Sequence, residues 1–151
     1  MKPLVKAFVV LLSFAIFFGT ASAQFSRKED AIKYRQSVMF IVGQHFSRLG
    51  AMVKGKQPYD QKQFADNAAI VNTLAAFPWE AFLVAGSDKG KTTMKSSVLQ
   101  NPDEFKAEFR KFRAEAGKLL SGATGDDMNA IKGQFGAVAK SCKSCHSQFR
   151  K

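Results

Sequence analysis

The sequence predicts an all-α chain folded as an antiparallel up-down-up-down four-helix bundle. Three observations predict it. Four segments repeat apolar residues at intervals of three and four, no stretch alternates as a strand would, and short clusters of Gly, Pro and Asp separate the segments. Such spacing returns to one side of a helix, so each segment carries a stripe that only another helix can cover.

The first segment runs from Lys28 to Lys54, with Ala31, Tyr34, Val38, Val42, Phe46, Leu49 and Val53 on one face. Gly55 and Pro58 stop it, because proline cannot continue the backbone ladder. The second opens at Asp60, whose carboxylate can accept from the free amides of a first turn. It carries Phe64, Val71, Leu74 and Phe77 up to Pro78. A polar, glycine-containing stretch from Ala85 to Gln100 follows; it is long for a loop in a small bundle and is expected to contain a helical turn or to cover a site. The third segment has Asn101 as its cap, Pro102 in the first helical position and Glu104 three residues after the cap. Phe105, Phe109, Phe112, Ala116 and Leu119 form its stripe, and Gly122 is expected to close it in the left-handed conformation. The fourth, capped by Asp126 or Asp127, alternates intervals of three and four without a break: Met128, Ile131, Phe135, Val138, Cys142, Cys145, Phe149. That is the seam of a helix packed nearly parallel or antiparallel to its neighbours.

Ahead of these segments lie the parts of a secretory signal peptide: Lys2 and Lys6, an apolar run from Leu4 to Phe18, and Ala21-Ser22-Ala23 as a cleavage site. Cleavage after Ala23 leaves residues 24–151, a length that suits one domain with one core, and export makes the periplasm the expected location. A retained membrane anchor is the rival reading, since the apolar run could nearly cross a thin bilayer; against it, no basic stop-transfer cluster follows. No later stretch is apolar enough to span. Removing the leader lowers the formal charge from +11 to +9. This balance favours acidic partners electrostatically, but no nucleic-acid motif accompanies it. A mostly solvated basic surface is therefore expected, rather than a dedicated docking patch.

Chemistry is carried by Cys142-Lys143-Ser144-Cys145-His146, a C-x-x-C-H sequence and so the attachment signature of c-type haem. Each cysteine can add across one vinyl group to form a thioether, and the histidine offers an imidazole to the iron. Residues three and four apart stack on one helical face, and both cysteines belong to the apolar seam. The haem is thus expected in the bundle core, where apolar side chains exclude water from its faces. A thioredoxin-like redox pair would sit at a helix start within a βαβ pattern, where the dipole lowers the thiol pKa; here the motif sits at a helix end without strands. Zinc needs four ligands, and only His45 remains, at no zinc spacing. A disulfide is possible in an exported protein. Neither zinc nor a disulfide explains a histidine directly after the second cysteine.

Lys33-Tyr34-Arg35-Gln36, Pro58-Tyr59-Asp60, Pro78-Trp79 with Phe82, and the C-terminal motif followed by Arg150 carry a wider likeness. With them the sequence resembles cytochrome c′, of the class II cytochromes c, over essentially the whole chain after residue 23. A haem motif at the C-terminus separates that class from ordinary cytochromes c. The resemblance implies a four-helix bundle, often a homodimer, with one haem c held by two thioethers. Its iron would be ligated by His146 on one side and commonly vacant on the other, binding nitric oxide or carbon monoxide and exchanging electrons with redox partner proteins. A binding and redox protein rather than an enzyme is therefore expected. It also implies Arg35 and Gln36 near the haem propionates, Met39 on the distal side, Trp79 and Phe82 walling the pocket, and Arg150 beside His146. The residues add that His146 and Arg150 are four apart, and that Arg35, at the edge of an apolar face, would be costly inside without an anion.

Function turns on Met39, because a thioether sulfur pairs with histidine in electron-transfer haems. In a five-coordinate, high-spin form it shields the open face of the iron and admits small uncharged diatomics. In a six-coordinate, low-spin form it is the sixth ligand of an electron shuttle. The Lys33–Gln36 run and the Pro78-Trp79 element resemble high-spin members, so the open form is the expectation. Met52, Met94 and Met128 are expected to serve packing. A haem-free thiol-disulfide oxidoreductase is the alternative of another class.

Overall fold

The computed structural model describes residues 25–151; the expected signal peptide over residues 1–23 lies outside them. Among the described residues six helices form: α1 Lys28–Val53, α2 Gln61–Leu74, α3 Trp79–Phe82, α4 Ser97–Gln100, α5 Pro102–Gly122 and α6 Met128–Phe149. The four long ones are the predicted bundle. α1 packs on α2, α2 on α5, α5 on α6, and α6 back on α1, so neighbours in sequence are neighbours in space. Among the described residues, no helix is long and apolar enough to cross a membrane.

The helix ends follow local chemistry, with three corrections. Gly55 takes a φ of 68° just past α1, the left-handed step glycine makes without a Cβ clash. The carboxylate of Asp60 accepts from the Gln63 amide at 2.9 Å, and that of Asp127 accepts from the amides of Asn129 and Ala130. Asn101 holds the cap position of α5, but its side chain makes no capping bond; Pro102, which has no amide proton to satisfy, starts the helix instead. Gly122 ends α5 without a positive φ, because the chain continues through Ala123 at a right-handed φ of −68°. Phe77 lies beyond the end of α2 and is exposed, not part of the buried stripe.

Two apolar clusters divide the interior. The larger holds Val38, Val42 and Leu49 of α1, Phe64, Ala68 and Val71 of α2, Phe112 and Leu119 of α5, and Ile131 and Val138 of α6, with Cys142 packed against it. The smaller holds Met94, Val98, Phe105, Phe109 and Phe149, with Met39, Trp79, Phe82 and Cys145 packed against it. The two cysteines, one turn apart on α6, therefore bridge the clusters. α1 reaches α6 closely because Gly50 has no side chain: a Cβ there would stand 3.1 Å from Phe135. The ring of Phe135 in turn stacks on Phe46 with centroids 4.4 Å apart.

Candidate functional site

Between α3 and α4 the chain forms a strap across one end of the bundle, and a single buried side chain ties it down. Arg35, 2% exposed on α1, donates from Nη1 to the Ala81 carbonyl at 3.0 Å and the Ser87 hydroxyl at 2.8 Å. From Nη2 it donates to the Ser87 carbonyl at 2.6 Å and the Thr92 hydroxyl at 2.9 Å. Its guanidinium also lies 5.1 Å from the centre of the Phe82 ring, an attractive placement for a cation. Carbonyl and hydroxyl oxygens, rather than a directly bonded anion, take four of its donors. Burial still lowers its pKa to about 10, opposed by the charge of Asp88. One turn position on, Gln36 donates to the Lys91 carbonyl at 2.9 Å.

The far end of the strap is zipped to the chain terminus. The Lys95 amide donates to the Phe149 carbonyl at 2.9 Å and the Lys151 amide to the Thr93 carbonyl at 2.8 Å, around an antiparallel bridge between Met94 and Arg150. Strap, terminus and helices enclose a cavity of about 420 Å³, within the range of small-ligand sites. Arg35, Gln36, Met39 and Phe40 line it from α1, and Phe82 from α3. Thr92, Thr93, Met94 and Val98 close it from the strap and α4, and Phe105 and Phe109 from α5. Cys145, His146, Phe149 and Arg150 complete the wall.

The cavity thus gathers Arg35, Gln36, Met39, Phe82, Cys145, His146 and Arg150. It does not gather Trp79, which packs against the smaller cluster with Lys106 6.0 Å from its ring centre, nor Cys142, whose half-buried side chain meets the larger cluster. Met94, read from the sequence as a packing residue, is 4% exposed and faces the cavity. Phe40 stands at its edge, 66% exposed. Only the length of the Ala85–Gln100 stretch hinted at the strap residues; nothing in their spacing marks Thr92, Thr93 or Met94.

The ionisation of the motif suits haem better than redox exchange. Burial pushes the Cys142 thiol up; burial, with Glu108 and Cys142 adding to it, pushes Cys145 up to about 11. A redox thiol needs the opposite shift. Both cysteines are free, not joined in a disulfide. Partial burial, then the charge of Arg150, hold the His146 pKa below its ordinary value, so near neutrality the ring keeps a lone pair for a metal. Among the described residues, no three His, Cys, Asp or Glu side chains converge. His45 meets Asn67 Oδ1 at 2.8 Å instead. An apolar cavity with one imidazole and one thiol on its wall, and the second thiol a turn away, suits a porphyrin.

A family model described as cytochrome C′ matches residues 30–150. A cytochrome c′ of Rubrivivax gelatinosus is 41% identical over 84% of this chain and 98% of its own length. Among solved structures, cytochrome c prime from Shewanella frigidimarina matches with a TM-score of 0.82 at 38% identity, over 85% of this chain and 99% of that one. A nitric oxide complex of a cytochrome c prime variant from Alcaligenes xylosoxidans matches with a TM-score of 0.77 at 36% identity, over 85% and 99%.

Proposed function

The chain belongs to the cytochrome c′ family, and we propose that it is a periplasmic cytochrome with one haem c, attached through thioethers at Cys142 and Cys145, with His146 as axial ligand. The observation that carries this reading is the shared wall: Cys145 and His146 face one apolar cavity into which Met39 also projects. When bound, the haem supplies an iron that can take a diatomic ligand or one electron.

The chain's own residues decide which. His146 is fixed by α6, whose last turn donates the Arg150 amide to the His146 carbonyl at 3.0 Å. Phe82, Phe105 and Phe109 exclude water from the interior, so a small uncharged gas is favoured there over an anion. Met39 is half-buried on the wall. In the favoured reading it crowds the free side without ligating, which leaves a five-coordinate, high-spin centre that binds nitric oxide or carbon monoxide. Phe82 forms part of the wall and Trp79 supports it from the smaller cluster, and Arg35 and Gln36 hold the strap beside the polar edge of the haem. The role is a carrier of gas or electrons rather than an enzyme, in a homodimer.

A second reading has Met39 as sixth ligand in a low-spin electron shuttle; its flexible thioether on the same wall supports it. Optical spectra of the ferric and ferrous protein, with and without nitric oxide, test the pair. Broad high-spin ferric bands that change on adding the gas are expected. Sharp low-spin bands without added ligand, abolished by Met39→Ala, would overturn the five-coordinate reading in favour of the second.

A further inference from the structure

A buried carboxylate faces the Cys-Lys-Ser-Cys-His turn from α5. Glu108 is 6% exposed, on the helix that packs directly on α6. Phe105 and Phe109, three residues before it and one after, line the cavity. One of its oxygens, Oε1, accepts from the ammonium of Lys111, whose side chain is 67% exposed. The other, Oε2, is closed off from solvent and accepts no hydrogen bond among the described residues. The Lys111 ammonium first, then the hydroxyl of Ser144 inside the turn, hold the carboxyl below the usual carboxylate range against the effect of burial. The group is therefore an anion near neutrality. Its charge reaches the motif, since after burial it is the next cause that pushes the Cys145 thiol up.

We propose that Glu108 is a fixed counter-charge to the haem iron, which favours the ferric state and so lowers the reduction potential. The proposal rests on the haem reading, because a thioether at Cys145 would tether the porphyrin to a residue within reach of this charge. Ferric haem carries one more positive charge than ferrous haem, so an anion held nearby favours the oxidised form. Burial keeps water and salt from screening that anion. Lys111, its partner, stands at the surface, where its own charge is largely screened. Glu108 thus makes one-electron reduction of the ferric centre less favourable, with no bond or proton changing at its own carboxylate. Glu104, one turn earlier on α5, is exposed and lacks that leverage.

Optical redox titration of the holoprotein at pH 7, with dithionite as reductant and ferricyanide as oxidant, tests this at low and high salt. Wild type is compared with Glu108→Gln, which keeps the shape and removes the charge, and with Glu104→Gln, an equal change of net charge placed in water. At a fixed solution potential the ferrous-to-ferric ratio of Glu108→Gln is expected to rise at least about threefold, an upward shift of about 30 mV at about 59 mV per tenfold. That shift should persist in salt, and Glu104→Gln should match wild type. A packing role alone gives the opposite sign: a loosened pocket admits water, which favours the ferric charge and moves the potential down. Lys111→Gln leaves the carboxylate in place without its surface partner and is expected to lower the potential, a measurement that stands even if Glu108→Gln takes up no haem. An unchanged or lower potential in Glu108→Gln, or an unchanged or raised one in Lys111→Gln, would overturn the proposal. Equal shifts in Glu108→Gln and Glu104→Gln would reduce the effect to net charge and overturn it too. Wild-type protein without a haem spectrum would sink the haem reading as well, whereas haem-loaded variants at the wild-type potential sink this proposal alone.

Discussion

Arg35 joins the bundle to its site. A charged group at 2% exposure is costly unless its donors find oxygens, and four of its five do, at Ala81 of α3 and at Ser87 and Thr92 of the strap. Position within an apolar stripe could flag the residue as unusual, but not its partners, since they lie 46 to 57 residues away in the chain. Truncation in Arg35→Ala strands the buried carbonyls of Ala81 and Ser87. Urea unfolding should show a loss of about 1–3 kcal/mol, the cost of leaving buried acceptors unmade. Arg35→Lys should recover only part of it, because an ammonium lacks the planar fork that reaches both oxygens of Ser87. Full recovery by lysine would mean that charge alone, and not the fork, holds the strap.

At the scale of elements, the long helices were legible and the strap was not. Strict periodicity wrote α6 into the sequence, and Asp60 and Asp127 marked the starts of α2 and α6 because a capping carboxylate acts within three residues. The strap is held by contacts remote in sequence, which no periodic pattern encodes; its length alone suggested a cover. Its stability should also depend on acid. The Ser96 hydroxyl first, and Lys89 with it, hold the Asp88 carboxyl below the usual carboxylate range. A depressed folded pKa contributes stability that is present above the unfolded value of about 3.9 and is lost as pH falls through the folded one. Wild-type protein should thus lose more urea resistance between about pH 6 and pH 3 than Asp88→Asn does, the neutral amide having no such charge to lose. Identical acid losses in the two would remove Asp88 from the account.

For the whole molecule, one architectural fact organises the rest: the C-x-x-C-H turn of α6 sits where two apolar clusters meet, with Cys142 against one and Cys145 against the other. The motif was readable because its chemistry needs fixed spacing on one face. The cavity before it was not, since five separate parts of the chain build it. The most direct test is the intact mass of the exported protein, made in a host able to mature c-type haem and measured after acid denaturation. The account predicts the mass of residues 24–151 plus one haem, falling to the bare polypeptide in Cys142→Ala, Cys145→Ala. Wild-type protein that shows only the bare polypeptide mass would contradict it.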